Sequence, residues 1–163
     1  MRLPDDIVLR PVGDADLPLL RAIYGSAREA ELACVAWTTN EKAEFLRSQF
    51  DLQHRYYQAH FPCAEFSVIQ YGSRDVGRWY VDWHGVELRL IDIALLPEWR
   101  NRGIGSGLLR GLLAMSDQLR KTILLHVEVN SPALSLYRRL GFATCADNGV
   151  YSRMFRPAQS LAA

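Results

Sequence analysis

Residues 96–109 constrain this chain more than any other stretch, because an apolar run passes there through a basic, glycine-rich turn into a leucine-rich segment of helical period. The turn reads Pro97-Glu98-Trp99-Arg100-Asn101-Arg102-Gly103-Ile104-Gly105-Ser106-Gly107. Glycines at 103, 105 and 107 carry no Cβ, so backbone N–H groups can close on an oxyanion. A helix beginning here adds its unpaired first-turn N–H groups and the positive end of its dipole. With the diffuse charge of Arg100 and Arg102, the segment reads as a phosphate cradle. Two other glycine motifs also join a strand to a helix, and neither fits. A P-loop needs Lys and then Ser or Thr after its last glycine, whereas Gly107 precedes Leu108 and Leu109. The run Gly103-Ile104-Gly105-Ser106-Gly107-Leu108 breaks the G-x-G-x-x-G spacing of a dinucleotide site.

A second signature follows at Asn130-Ser131-Pro132-Ala133-Leu134-Ser135-Leu136-Tyr137-Arg138-Arg139-Leu140-Gly141-Phe142. Residues 122–129 before it are apolar and β-branched enough for a buried strand. Ser131 suits an N-cap, Pro132 the first helical position and Gly141 the stop, so one short helix follows. Ala133, Leu134, Leu136, Tyr137 and Leu140 share a face, which makes Tyr137 a core aromatic with its hydroxyl at the rim. The pattern Arg100-x-x-Gly103-x-Gly105, preceded by Pro97, resembles the acyl-coenzyme A pyrophosphate loop of the GNAT N-acetyltransferase superfamily. The later segment resembles that family's second signature, N-x-x-A-x-x-L-Y-x-x-x-G-F, in the family's order.

Composition agrees with one enzyme-sized domain, and a single domain over residues 1–163 is expected. Lys and Arg number 19 against 18 Asp and Glu, a formal charge of +1, so neither nucleic acid nor a membrane is an expected partner. Cys34, Cys63 and Cys145 form no C-x-x-C pair and are odd in number. That argues for a reducing compartment and against a disulfide framework or zinc site, and leaves the cysteines as packing residues; no metal is expected. The beginning of the chain is acidic, and no run approaches ~18 apolar residues, so a soluble cytoplasmic protein is expected.

Alternation and punctuation predict strands over 7–11, 66–70, 76–82, 86–95, 122–129, 143–146 and 150–155. Helices are predicted over 14–33, capped by Asp14, over 40–60 and over 105–119, besides the short one after Ser131. Residues 159–163 read as a frayed tail. The resulting order, β-α-α-β-β-β-α-β-α-β-β, resembles the GNAT fold, an α/β (α+β) architecture. The resemblance implies a mixed, mostly antiparallel sheet, flanked by helices and splayed between its fourth and fifth strands.

The same resemblance implies acetyl-coenzyme A as co-substrate. The backbone of Ile93, Ala94 and Leu95 would pair with the pantetheine amides. The pyrophosphate would dock on the N–H groups of Arg100, Asn101, Arg102, Gly103, Ile104, Gly105 and Ser106, with Asn130 along the cofactor arm. It further implies an oxyanion donor at the N–H of Ile93 and a leaving-group acid at Tyr137. The base has two candidates. Asp92 comes first, because it interrupts the apolar run 88–96, and its offset from the glycine loop resembles that of polyamine and aminoglycoside acetyltransferases. Read from the residues alone, Asp92 is equally a strand carboxylate paired with Arg89 or capping the splay. Glu128 is the second candidate and reads more simply as structural, while His126 and His84 read as satisfied by packing and water.

In the family the segment linking the first two helices walls the acceptor pocket, which makes Trp37 and Tyr56 substrate candidates. Glu29, with Glu31, would attract a cationic acceptor. Without the resemblance, Trp37, Phe45, Phe50, Tyr56, Tyr57 and Phe61 are mostly core, and the two glutamates a solvated helix face. The expected activity is acetyl transfer to an amine by direct attack in a ternary complex, the acceptor being a small molecule such as a polyamine, aminoglycoside or amino acid. A protein or peptide amine, or a module that senses acyl-coenzyme A without turnover, is the alternative. Homodimerisation is implied by the resemblance alone.

Overall fold

The computed structural model describes residues 1–160. Along the chain run β1 (Ile7–Pro11), α1 (Leu17–Ala33), α2 (Thr39–His60), β2 (Glu65–Tyr71), β3 (Arg74–Asp82) and β4 (Leu88–Leu95). Then follow α3 (Ile104–Leu119), β5 (Ile123–Glu128), α4 (Ala133–Arg139), β6 (Ala143–Asp147) and β7 (Tyr151–Arg156). The seven strands form one sheet in the order β1-β2-β3-β4-β5-β7-β6. Every neighbouring pair is antiparallel except β4 and β5, which run parallel. This is the mixed α/β architecture expected from the element order.

The opening in the sheet has a local cause. Only Leu88, Arg89 and Leu90 pair with β5, opposite Ile123, Leu124 and Leu125, and beyond them the two strands part. On its other side β4 carries a bulge: Tyr80 lies opposite Asp92 and Val81 opposite Leu90, so Ile91 is the extra residue. A bulge bends its strand and adds twist, which carries the second half of β4 away from β5. The Leu96 N–H donates to the Val76 carbonyl at 2.9 Å. Because alternate residues of an antiparallel pair exchange hydrogen bonds, Ile93 and Leu95 direct their N–H and C=O groups away from β3, toward the opening.

Two apolar layers cover the sheet. On one face α3 and α4 bury Leu108, Leu112 and Tyr137 against Trp79, Leu88 and Leu125. On the other, α1 and α2 bury Leu20, Ile23, Tyr24 and Phe50 around Tyr80. A Cβ on Gly107 would meet the Pro4 ring at 2.5 Å. Gly107 therefore brings α3 against the beginning of the chain, a packing role in place of the part in the cradle that its spacing suggested.

Several expectations shift in the fold. Asp14 opens a single 3-10 turn, and α1 starts after Asp16. The Asp16 carboxylate accepts the Gly13 N–H at 2.8 Å and two bonds from Arg10 at 2.7 and 2.8 Å, so it holds this entry where Asp14 was expected to. Helix α2 begins one residue early at a capping box, in which Thr38 Oγ1 accepts the Glu41 N–H and Glu41 accepts the Thr38 N–H. The three cysteines are exposed, not packed. Of the aromatic stripe, Phe50 alone is buried, while Trp37, Phe45 and Tyr56 are 44%, 38% and 52% exposed, because α2 turns one narrow face to α1 and the sheet. In the expected tail the Gln159 N–H donates to Asp117 at 2.7 Å beside the Arg156–Asp117 pair, so that residue is tied down; 161–163 lie outside the described residues.

The Arg10 pair holds the Asp16 carboxyl at about 2, with the Gly13 N–H as second cause. A depressed folded-state value stabilises the protein above the unfolded carboxyl range and loses that contribution as pH falls through the folded value. Urea unfolding between about pH 4 and pH 2 is therefore expected to show an acid loss of stability that Asp16→Asn flattens.

Candidate active site

The loop after β4 forms a cradle because two of its residues adopt left-handed backbone. Asn101 has φ 59° and Gly103 φ 80°. A Cβ at Gly103 would find open space, so glycine is needed there for its conformation. The turn ends at the first residues of α3, whose N–H groups lack helical partners and face an anion site. From the cradle a cavity of about 550 Å³ runs along the splay, lined by Ile93, Ala94, Leu95, Arg100, Asn101 and the stretch Gly103, Ile104, Gly105 and Ser106, with Tyr137 across it. Arg100 braces the cradle: its Nε donates to the Leu95 carbonyl at 2.9 Å and an Nη to Ser26 Oγ at 3.0 Å. Of the two β4 residues turned to the opening, Leu95 thus has its carbonyl partly engaged.

A second cavity of about 260 Å³ continues inward between α1, α2 and the parted strands. Ala27, Ile93, Ala94, Ser131, Ala133 and Tyr137 line both spaces, so the two form one cleft. Tyr137 stands at the junction, its ring edge-on to Phe142 at 5.7 Å. Burial first, and the nearby charge of Asp92 second, push its phenol well above the ordinary value, which keeps the proton on oxygen through neutral pH. Asp92 lines the inner cavity and accepts from Arg78 Nη2 at 2.5 Å, the two side chains being 16% and 5% exposed. The partner is thus Arg78, not Arg89. Arg78 also donates to Gln53 at 3.0 Å, while its buried Nε lacks a partner. Arg89 instead meets His126 Nδ1 at 3.1 Å. Burial, then the charges of Arg89 and Arg153, lower the His126 pKa and favour the neutral ring.

Glu128 also lines the inner cavity, 3.4 Å from Arg28. The remaining expected residues fall outside. Arg102 lies over the Trp99 ring at 4.9 Å and does not line the cleft. Asn130 occupies the exposed turn after β5, where Ser131 reaches both cavities and accepts the Ala133 N–H at 3.2 Å. Trp37 packs on Phe45 at a separate shallow surface, Tyr56 stacks on His60, and Glu29 is exposed on α1. Trp37, Tyr56 and Glu29 do not line the inner cavity; Tyr24, Arg28, Gln53 and Tyr57, on the inward faces of α1 and α2, do. Arg78 had a signal in the sequence: like Asp92, it is a charge set among apolar neighbours inside a strand, and the two strands are adjacent.

Among the described residues no cluster of His, Cys, Asp and Glu is arranged to hold a metal ion, and no helix is long and apolar enough to cross a membrane.

Comparison with known proteins bears on this cleft. Residues 62–144 match the family model described as the acetyltransferase (GNAT) domain, a span that runs from β2 into β6 and includes the cradle and Tyr137. The chain is 35% identical over 120 residues to a mycothiol acetyltransferase of Corynebacterium glutamicum, covering 72% of this chain and 38% of that one. A mycothiol acetyltransferase of Thermobifida fusca is 33% identical over 117 residues, covering 64% and 36%. The chain therefore spans less than two fifths of the length of these relatives. Among solved structures, the PaiA N-acetyltransferase of Thermoplasma acidophilum in complex with coenzyme A superposes with a TM-score of 0.67 at 19% identity, over 93% of this chain and 98% of that one.

Proposed function

Because the chain belongs to the GNAT acetyltransferase family, we propose that its cleft transfers the acetyl group of acetyl-coenzyme A to the primary amine of a small molecule. The observation that carries this reading is the continuity of the two cavities through Tyr137. One side offers a phosphate cradle and outward-turned strand backbone; the other offers a partly enclosed, charged pocket. The residues fit the co-substrate: left-handed Asn101 and Gly103 leave open space over N–H groups, and Ile93 presents its backbone between cradle and pocket. When bound, acetyl-coenzyme A supplies an acetyl thioester.

The chain's own groups then divide the work. The acceptor ammonium, with a pKa near ~10, gives up a proton to Asp92, directly or through water, with Glu128 as the second candidate. The amine nitrogen bonds to the acetyl carbon, the Ile93 N–H holds the oxygen as it gains charge, the nitrogen, cationic after attack, releases its second proton to water, and the carbon–sulfur bond breaks to leave the amide. Tyr137 Oη gives its proton to the departing sulfur and recovers one from solvent. No side-chain nucleophile is required. A small molecule is favoured over a protein amine because the inner pocket is narrow, below the about 300–1,000 Å³ typical of drug-sized sites. The relatives at 33% and 35% identity, named for mycothiol, agree with that scale of acceptor.

The test is free-thiol release from acetyl-coenzyme A by the purified chain across amino acids, polyamines, aminoglycosides and peptides. Release that requires an acceptor is expected. Tight binding of coenzyme A with no release for any amine would make the chain a sensing module.

A further inference from the structure

The inner pocket is balanced in charge in a way that selects its occupant. Arg28 and Arg78 line it, as do Asp92 and Glu128. Asp92 is already committed to Arg78 through a short bond, and both are largely withdrawn from water. An acceptor with several positive charges would enter a space where this acid is neutralised and a guanidinium faces it. Arg28 differs from Arg78 in pairing only at longer range, through Glu128 and Glu31. Its guanidinium lies 3.4 Å from Glu128 and 3.6 Å from the exposed Glu31, both long for a charge-assisted bond. It rests over the Tyr24 ring at 4.6 Å, with its side chain 25% exposed. Because the pairings with Glu128 and Glu31 are long, its planar fork of donors can turn to a carboxylate that enters the pocket.

We propose that the acceptor carries a carboxylate beside its primary amine, an amino acid or amino-acid-like molecule, and that Arg28 is the specificity-determining residue that grips this carboxylate. The inference rests on the acetyl-transfer reading of the cleft and names its substrate class. The carboxylate docks on Arg28 from α1, and the amine points inward toward Ile93, Asp92 and Tyr137. The entering carboxylate shares the Arg28 guanidinium with Glu128, whose own charge favours the ammonium end of the zwitterion. A pocket of about 260 Å³ suits a molecule of this size.

The experiment compares free amino acids with their matching carboxamides, alongside spermidine, in the thiol-release assay, with wild type, Arg28→Gln and Arg28→Lys. Wild type is expected to prefer the acids by about 10- to 100-fold in kcat/KM, as one charge-assisted pairing confers. Arg28→Gln is expected to abolish that preference by raising KM for the acids far more than KM for the carboxamides, with the larger change in KM and not in kcat. Arg28→Lys restores part of it, since the charge returns without the fork. Equal use of acids and carboxamides by wild type, spermidine as the best acceptor, or an equal rise in KM for both members of each pair in Arg28→Gln overturns the assignment while leaving acetyl transfer standing. No release for any acceptor overturns acetyl transfer and the assignment together.

Discussion

Replacing Tyr137 by Phe is expected to lower turnover by about 10²- to 10⁴-fold, the range supplied by a positioned general acid. The expected size follows from where the hydroxyl sits. Tyr137 borders both cavities and is 6% exposed, so little water reaches the point where the sulfur must take a proton. The ring itself is held by the apolar layer and by the edge contact with Phe142, which Phe reproduces without a cavity. Folding stability and affinity for acetyl-coenzyme A should therefore stay near wild type while kcat falls. Steady-state kinetics beside a urea midpoint and coenzyme A titration checks this. A fall in affinity with kcat unchanged would make the tyrosine a wall of the cofactor site, not a proton donor.

Asp92→Asn should affect both stability and rate. It leaves the Arg78 guanidinium, 5% exposed, without its counter-ion and with Nε already unpartnered. Breaking a buried ion pair from one side typically costs about 3–5 kcal/mol, because the surviving charge stays desolvated. The Gln53 bond to Arg78 remains, which places the expected loss near the lower end, about 3 kcal/mol, read as a drop in the urea midpoint. The double variant Arg78→Met with Asp92→Leu removes both charges for apolar groups of similar size and should recover most of that stability. Turnover should stay low in both variants if Asp92 receives the amine proton. Recovery of turnover together with stability would make Asp92 a counter-ion only.

These two residues illustrate how unevenly the site was legible in the sequence. Tyr137 was visible because the helix that carries it has a local signature: a polar cap, a proline, a helical stripe and a glycine stop. The cradle was visible for the same reason, since Gly103 adopts φ 80° and its neighbours begin a helix within a few residues. Asp92 stands out as a carboxylate among apolar neighbours, but a pairing with Arg89 on the same strand, one of its two structural readings, does not form. The true partner, Arg78, comes from β3, and the pairing depends on the register of the two strands and on the bulge at Ile91.

The lining of the inner pocket lay beyond local signals altogether. Trp37, Tyr56 and Glu29 were plausible from residue type, yet a turn of helix separates a side chain that faces solvent from one that faces the cleft. Which face of α2 turned inward was settled by Phe50 packing on Tyr24 at 5.9 Å and by the sheet beneath, and this brought Gln53 and Tyr57 to the pocket and left Tyr56 outside. The order of elements, the cradle and the position of Tyr137 follow from local patterns, because each is written in residues close together along the chain. How far β4 and β5 part, which arginine pairs with Asp92 and the turning of Arg28 to the pocket follow from long-range packing. Each of these depends on segments distant in sequence, and their relative placement is set by packing across the whole sheet, which no local pattern encodes.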